Sequence, residues 1–257
     1  ETDVKGLYGM ELIEYIKTLD NVGVALSGGV DSSYLAYVVK QSDIPCKAYT
    51  VKSQFVPQFE LDDTKKIAEF IGIPLEIIDI DVLEHDDVTS NPSDRCYYCK
   101  YHVFTTISEH AKRDGFTVLC DGTNASDDVD DRPGMKAIAE LFVKSPLREC
   151  NLTKSMIRDL AHKADLFTWD KPSYACLATR FQAGQHITGQ DLEHIEKAEG
   201  YLFSLGLSDF RVRLMGNTAK IQVPENQIAI VIKNRIEILI CFKSMFDDVV
   251  LDLEVRS

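Results

Sequence analysis

The chain has 257 residues, 45% of them hydrophobic, which is enough to bury a core in one large domain or two smaller ones. Its 41 acidic residues outnumber its 28 basic ones, and the resulting net charge of -13 disfavours a large nucleic-acid partner. No apolar stretch is long enough to span a membrane, and the N-terminal residues lack the basic-then-apolar pattern of a signal peptide, so we expect a cytoplasmic protein.

Strand and helix patterns alternate over the first 120 residues. Helical spacing of apolar residues predicts helices over 10–19, 32–41, 61–72 and 101–115, and short apolar runs predict strands over 21–28, 46–53, 74–82 and 116–122. This alternation predicts right-handed crossovers and a parallel sheet covered by helices on both faces. Ligands of such sheets bind at the carboxyl ends of the strands.

The pattern changes after about residue 150. A helix is predicted over 151–165, capped by Asn151 or by Thr153, and an irregular stretch follows over 169–188. The remaining patterns are a helix over 188–206, a hairpin over 209–224 that turns at Gly216 and Asn217, a helix over 225–246 and a strand over 248–255. We therefore predict an α/β domain over 1–180 and a smaller α+β domain over 181–257.

The segment SGGVDS at 27–32 follows the first predicted strand and precedes a helix. Two glycines allow a sharp turn close to a ligand, and the N-terminus of the helix directs N–H groups at an anion. Asp31 can cap the helix or bind Mg²⁺. The segment lacks the lysine of the P-loop and the spacing of the GxGxxG fingerprint, and an ordinary strand-to-helix turn is the alternative.

Seven cysteines in a chain without a secretory pattern suggest metal binding or catalysis more than disulfides. Cys96 and Cys99 form a CxxC motif before the helix predicted from residue 101, and Cys176 lies in the irregular stretch. These three would suit a [4Fe–4S] cluster with one open iron site, while Cys176 alone would suit a nucleophile or persulfide carrier beside Arg180. Cys46, Cys120 and Cys241 are expected to be small buried hydrophobic residues, and Cys150 is ambiguous.

SGGVDS after the first strand resembles the PP-loop of the ATP pyrophosphatases, an adenine nucleotide alpha hydrolase-like fold. The resemblance implies that ATP and Mg²⁺ bind at the strand ends and that ATP is cleaved to AMP and pyrophosphate while a substrate oxygen is adenylated. By the same resemblance Tyr49 and Thr50 lie near the adenine, Thr123 lies near the nucleotide, and Asp31 is catalytic. The ATP-binding residues it implies are Ala25, Ser27, Gly28, Gly29, Asp31, Ser32, Ser33, Val51, Ser53, Gly122, Asn124 and Asp127. The acidic run 127–131 could equally be a solvated loop.

A closer resemblance runs over essentially the whole chain. The segments DDRPG at 130–134, PSYACLATRF at 172–181 and FRVRLMGNTAKIQVP at 210–224 are similar to those of the LarE-type sulfur transferases. That family converts a carboxylate of pyridinium-3,5-biscarboxylic acid mononucleotide to a thiocarboxylate, for the nickel-pincer cofactor of lactate racemase. The resemblance implies a trimer-based homo-oligomer, a small-molecule nucleotide substrate bound by Arg180, Arg211 and Arg213, and no nucleic-acid or membrane partner. It leaves the sulfide donor open.

Two sources of sulfur remain open. One branch of the family sacrifices the sulfur of a cysteine at the position of Cys176, whereas the CxxC resembles the branch with a [4Fe–4S] cluster on Cys96, Cys99 and Cys176. We favour the cluster. The rival functions are a tRNA 2-thiolase, which the net charge opposes, an amide synthetase such as NAD synthetase, which leaves the cysteines without a role, and a nucleotide-binding sensor.

Overall fold

A computed structural model of the chain describes residues 4–127 and 133–256. Its helices are α1 Val4–Lys17, α2 Val30–Gln41, α3 Gln58–Ile71, α4 Asp86–Thr89, α5 Arg95–Arg113, α6 Pro133–Glu140, α7 Pro146–Glu149, α8 Lys154–Lys163, α9 Gly189–Ser204, α10 Ile228–Lys233 and α11 Arg235–Phe242. Its strands are β1 Val22–Ala25, β2 Cys46–Lys52, β3 Leu75–Asp79, β4 Val118–Cys120, β5 Arg211–Met215, β6 Thr218–Gln222 and β7 Asp248–Leu251. None of these described helices has the length and apolar character needed to cross a lipid bilayer.

The first compact unit, 1–80 with 96–173, contains a four-stranded sheet in the order β3-β2-β1-β4. All three strand pairings in it are parallel, as the alternation of strands and helices predicts. The α/β class with a parallel-sheet domain is therefore confirmed. Since the strands are parallel, the loops that follow β1, β2 and β4 lie at one edge of the sheet.

Side chains on the two faces of this sheet belong to two separate cores. Val24, Ala48 and Cys120 pack with α1, α2, α3 and α8 on one face. Tyr49 and Leu119 pack with α5 and α6 on the other face. Neighbouring residues such as Ala48 and Tyr49 point to opposite faces because the side-chain period of a strand is two. Each fully buried aliphatic side chain contributes about 1.5–3 kcal/mol, so the two cores hold the strand ends in fixed positions.

The second compact unit comprises 81–95 and 174–256 of the described chain. Its sheet has the order β5-β6-β7, with β5 antiparallel to β6 and β6 parallel to β7. The predicted hairpin turns at Gly216 and Asn217, where Gly216 has a φ of 60°. Helix α9 begins at the cap Thr188, whose side chain accepts a hydrogen bond from the Asp191 N–H.

The compact units divide the chain differently from the sequence-based boundary at residue 180. The division falls between Ser173 and Tyr174, and the segment 81–95 joins the second unit. Backbone hydrogen bonds explain this membership, because Thr89 and Asn91 accept from the N–H groups of Ile187 and Gly184 at 2.8 and 2.7 Å. These contacts join residues almost a hundred positions apart, which local patterns do not register.

Three local predictions need correction or refinement. Helix α5 begins at Arg95, so the CxxC lies inside the helix and not before it; the turn after Pro92, whose carbonyl accepts from the Arg95 N–H, starts the helix ahead of its apolar periodicity. The predicted helix over 225–246 is interrupted at Asn234, whose side-chain amide donates to the Ile230 carbonyl. Of the two candidate caps of α8, Thr153 is the observed one.

Candidate active site

The segment 27–32 forms the turn after β1 and the first turn of α2, which begins at Val30. The Ser32 hydroxyl accepts from the Ser27 N–H at 3.1 Å and lies 3.0 Å from the Ser27 hydroxyl, so the loop is closed by its own side chains. The helix cap is Gly29, which has no side chain to accept from the first N–H groups of α2. These N–H groups and the positive end of the helix dipole are suited to an anion.

Asp31, in the first turn of α2, has the features of a metal ligand. Its Oδ2 pairs with Lys154 Nζ at 2.6 Å, but its Oδ1 is buried and has no hydrogen-bond partner among the described residues. Burial raises the pKa of Asp31, and the ammonium of Lys154 offsets only part of that increase. The Ser33 hydroxyl is likewise buried without a partner in the described chain. A carboxylate oxygen left unsatisfied beside an anion-binding loop fits the oxygen ligands of Mg²⁺.

A cleft of about 400 Å³ opens at the carboxyl ends of β1, β2 and β4, within the size range of small-molecule sites. One part of its lining is apolar, from Val103, Phe104, Ile107 and Met135. Another part is polar, from the phosphate loop and from Asp121, Thr123 and Asp127. An apolar surface next to a phosphate loop matches the two ends of a nucleotide, its base and its phosphates.

Most of the ATP-binding residues predicted from sequence line this cleft. They are Ala25, Ser27, Gly29, Asp31, Ser32, Val51, Gly122 and Asp127, together with Tyr49, Thr50 and Thr123. Gly28, Ser33, Ser53 and Asn124 are not part of the lining; Asn124 is buried and its side-chain oxygen accepts from the Ser126 N–H. The rest of the acidic run, 128–131, lies outside the described residues. The nucleotide roles of these residues stay predictions.

Gly122 brings the loop after β4 against the start of α2. A Cβ built on Gly122 would lie 2.8 Å from the Ser32 nitrogen, which is closer than two such atoms approach. The obstacle is backbone, so no side-chain rotation could relieve it. Gly122 therefore allows the loop after β4 to complete the wall of the cleft.

Several cleft residues could not be recognised from local motifs. Lys100, Thr64 and Phe104 line the cleft, and Lys154 pairs with Asp31 from α8. Lys171 lies near the phosphate loop, where its ammonium is 2.8 Å from Asp63, 3.0 Å from Glu60 and 3.4 Å from the Gly28 carbonyl. Each side chain comes from a helix or loop distant in sequence from SGGVDS, and none of them stands in a pattern that indicates phosphate binding.

Gly28 gives a direct test of the phosphate loop. It has a φ of 74°, and an added Cβ would lie 2.6 Å from Thr64 Oγ1, whereas Gly72 has a φ of 73° with no atom within 4 Å. We expect Gly72→Ala to cost about 1–2 kcal/mol of stability through left-handed strain, and Gly28→Ala to cost more because its Cβ also meets Thr64. Only Gly28→Ala should weaken ATP binding, by about tenfold or more, because it displaces the loop. Denaturant unfolding and ATP titration calorimetry measure the two effects, and equal losses of ATP affinity would contradict the loop assignment.

The cysteines singled out by sequence are divided between the two units. Cys96 and Cys99 lie three residues apart in the first turns of α5, so they are on the same side of that helix. Cys176, in the second unit, precedes a short 3₁₀ helix at Leu177–Arg180 and is partly exposed. All seven cysteines are reduced, and Cys120 is fully buried in the core, where burial raises its thiol pKa. The cluster assignment stays a prediction.

The three predicted substrate arginines differ in their surroundings. Arg180 is fully buried, and its guanidinium forms a two-pronged pair with Glu199 at 2.8 and 2.9 Å. Arg211 and Arg213 share one face of β5, as their spacing predicts, and Arg213 stands opposite Lys220 of β6. Burial, followed by the charge of Arg180, lowers the pKa of Arg211. Lys220 is itself paired with Asp252 at 2.7 Å, so the two arginines are the groups on this face suited to an anionic molecule.

Comparisons with known proteins agree with this fold and cleft. The asparagine synthase family model matches residues 16–129, the part of the chain that contains the phosphate loop. An uncharacterized protein of Synechocystis sp. is 36% identical over 221 residues, covering 84% of this chain and 81% of that protein. A tRNA-specific 2-thiouridylase of Thermotoga petrophila is 28% identical over 144 residues, covering 46% of this chain and 39% of that enzyme.

One characterised relative covers most of the chain. The pyridinium-3,5-bisthiocarboxylic acid mononucleotide synthase of Lactiplantibacillus plantarum is 31% identical over 221 residues, covering 84% of this chain and 79% of that enzyme. The match thus extends well beyond the phosphate-loop region into the second unit. On this similarity and on the PP-loop fold, the chain belongs to the LarE-type family of ATP-dependent sulfur transferases.

Proposed function

We propose that this protein adenylates a carboxylate of pyridinium-3,5-biscarboxylic acid mononucleotide and converts it to a thiocarboxylate, in nickel-pincer cofactor biosynthesis for lactate racemase. The single observation that supports the adenylation step concerns Asp31, beside the phosphate loop. Its Oδ1 is buried and has no hydrogen-bond partner in the described structure. The relative that makes a bisthiocarboxylic acid mononucleotide supports the substrate class.

The activation step follows from the cleft. ATP binds with its base against the apolar lining and its phosphates at the N-terminus of α2, and Asp31 binds Mg²⁺. A substrate carboxylate oxygen attacks the α-phosphorus, the bond from that phosphorus to the β-phosphate oxygen breaks, and pyrophosphate leaves. The α2 N–H groups stabilise the negative charge on the leaving pyrophosphate, and Mg²⁺ held by Asp31 would add to that stabilisation.

Sulfur then displaces AMP from the acyl-adenylate. We assign Cys96, Cys99 and Cys176 as the ligands of a [4Fe–4S] cluster, since three thiols with two on one helix face suit such a group. When bound, the cluster supplies sulfide. In the alternative, the Cys176 thiolate attacks the acyl carbon and releases AMP; a base in the solvent then takes the Cys176 α-proton as the Cβ–S bond breaks, which leaves the thiocarboxylate and dehydroalanine.

The substrate carries carboxylates and a phosphate, and Arg211 and Arg213 are proposed to bind these groups. Arginine forks bind carboxylate and phosphate in a bidentate manner, and the two arginines lie on one face of β5. A net charge of -13 disfavours tRNA as the substrate, and the tRNA-modifying relative matches only 46% of the chain. A trimer-based homo-oligomer and a cytoplasmic location are further parts of this proposal.

The proposed reaction is tested with purified protein, ATP, Mg²⁺ and the biscarboxylic acid mononucleotide, after anaerobic reconstitution with iron and sulfide. We expect AMP, pyrophosphate and a product in which sulfur replaces one carboxylate oxygen, measured by mass spectrometry. Release of pyrophosphate only when the substrate is present would support adenylation. ATP binding without pyrophosphate release would contradict it, and a reconstituted protein without iron or broad visible absorbance would contradict the cluster.

A further inference from the structure

A buried carboxylate in the second unit accepts an unusual number of hydrogen bonds. Glu199, on α9, is 1% exposed. Its Oε1 accepts from Arg180 Nε at 2.8 Å and from the Val212 N–H at 2.9 Å, and its Oε2 accepts from Arg180 Nη2 at 2.9 Å and from the Tyr174 hydroxyl. Glu199 therefore joins α9, strand β5 and the segment that contains Cys176.

The remaining nitrogen of the Arg180 guanidinium, Nη1, binds backbone carbonyls of the segment that contains Cys176. Nη1 donates to the Ala175 carbonyl at 2.8 Å and lies 3.3 Å from the Cys176 carbonyl. The same carbonyl of Cys176 accepts from the Thr179 N–H at 3.0 Å and from the Thr179 hydroxyl at 2.8 Å. One rigid fork thus connects Glu199 to the peptide groups on either side of the Cys176 α-carbon.

Tyr174 extends this network to a second arginine. Its ring lies under the Arg180 guanidinium at 4.6 Å and near that of Arg211 at 5.1 Å, while its hydroxyl donates to Glu199. Stacking on an aromatic face restricts the orientation of a guanidinium. The position of Arg211 therefore depends on the same buried carboxylate as the position of Cys176.

Stability alone is a weak explanation for this arrangement. Replacing a buried ion pair by apolar side chains of similar volume is often neutral or stabilising, because desolvation of the two charges offsets their attraction. What apolar side chains cannot reproduce is the set of directed hydrogen bonds to the Ala175 and Cys176 carbonyls. Each of the three guanidinium nitrogens of Arg180 already donates within the second unit.

We propose that Arg180 and Glu199 are positioning residues that fix the Cys176 segment, and through Tyr174 the Arg211 side chain, for sulfur transfer. Arg180 then acts through the backbone it holds and does not bind the substrate as the family resemblance implies. The consequence for sulfur transfer rests on the proposed function; the fixing of the Cys176 segment does not.

Two variants test the pair in the full-length protein. Arg180→Lys keeps a positive charge beside Glu199 but has no second arm for the carbonyls, and the double variant Arg180→Met/Glu199→Leu removes both buried charges together. The readout is the alkylation rate of Cys176 by iodoacetamide in protein without cluster or substrate, followed by peptide mass spectrometry. Cys241, on α11, is the internal reference.

We expect the Cys176 alkylation rate to rise at least about fivefold in both variants through local loosening, with the Cys241 rate unchanged. Thiocarboxylate formation should fall more than pyrophosphate release does, because the Cys176 segment serves sulfur transfer alone, whereas a loosened Arg211 weakens substrate binding for both steps. An unchanged Cys176 rate in a folded double variant would overturn the proposal, and so would a parallel rise at Cys241, which indicates general destabilisation. If wild-type protein forms no thiocarboxylate, the proposed function fails, yet the alkylation rates still decide the positioning role.

Discussion

Replacement of Asp31 by asparagine is expected to reduce substrate-dependent pyrophosphate release by about 100-fold, or about 2.7 kcal/mol of transition-state stabilisation. The amide has nearly the shape of the carboxylate and can still accept from Lys154, which now contacts Oδ2 at 2.6 Å. What disappears is the charge on the buried, unpartnered oxygen that would bind Mg²⁺. Because no atom is added, the loss should appear mainly in the rate and not in the unfolding free energy.

A matched control is available at the other end of the same helix. Asp43 is exposed beyond the C-terminus of α2 and has a φ of 58°, a conformation that asparagine also adopts readily. Asp43→Asn makes the same chemical change away from the cleft and should leave pyrophosphate release unaltered. Measuring the release rate against Mg²⁺ concentration completes the test. If Asp31→Asn retained the wild-type rate and Mg²⁺ dependence, Asp31 would not be the metal ligand.

The pH dependence of this step follows from the raised pKa of Asp31. Burial disfavours the ionised carboxylate, so in the nucleotide-free protein Asp31 takes up its proton at a higher pH than an exposed aspartate does. Since the protonated group is a poor Mg²⁺ ligand, pyrophosphate release at low Mg²⁺ should decline as the pH falls through this raised value. Higher Mg²⁺ concentrations should move the decline to lower pH.

The features that sequence could predict are those encoded within a few residues. Strands of three to seven residues separated by amphipathic helices indicate the parallel sheet, and the carboxyl ends of its strands indicate the location of the cleft. The SGGVDS phosphate loop could be predicted because the sharp turn at glycine and the anion site at a helix N-terminus each depend on adjacent residues alone. The same reasoning explains the hairpin at Gly216 and the capping of α8 by Thr153.

The features that sequence could not predict depend on contacts between distant segments. Lys154 reaches Asp31 across 123 positions, and Lys171 reaches Glu60 across 111. Glu199 is one of several acidic residues on α9, and only its burial against Arg180 distinguishes it from the exposed Glu193. Membership of 81–95 in the second unit likewise depends on hydrogen bonds to residues near 185, for which the local sequence carries no signal.

Replacement of Cys176 by serine is expected to abolish thiocarboxylate formation, a fall of at least about 100-fold, while pyrophosphate release stays within about twofold of wild type. The two activities separate because the phosphate loop and cleft belong to the first unit and Cys176 to the second. Cys241→Ser is the control, since Cys241 is partly buried on α11 and has no assigned role. Loss of pyrophosphate release in Cys176→Ser would show that Cys176 is needed before sulfur is transferred.

The variant Cys96→Ser, on α5, distinguishes the two possible sources of sulfur. If the cluster delivers sulfide, Cys96→Ser should lose thiocarboxylate formation as completely as Cys176→Ser, and both should lose bound iron after reconstitution. If Cys176 gives up its own sulfur, Cys96→Ser should remain active for one turnover, and Cys176 should then be found as dehydroalanine. Cys96 lies on α5 of the first unit and Cys176 in the second. Equal losses of thiocarboxylate formation and of bound iron in the two variants would support one cluster on the three cysteines, whereas unequal losses would assign sulfur delivery to Cys176 itself.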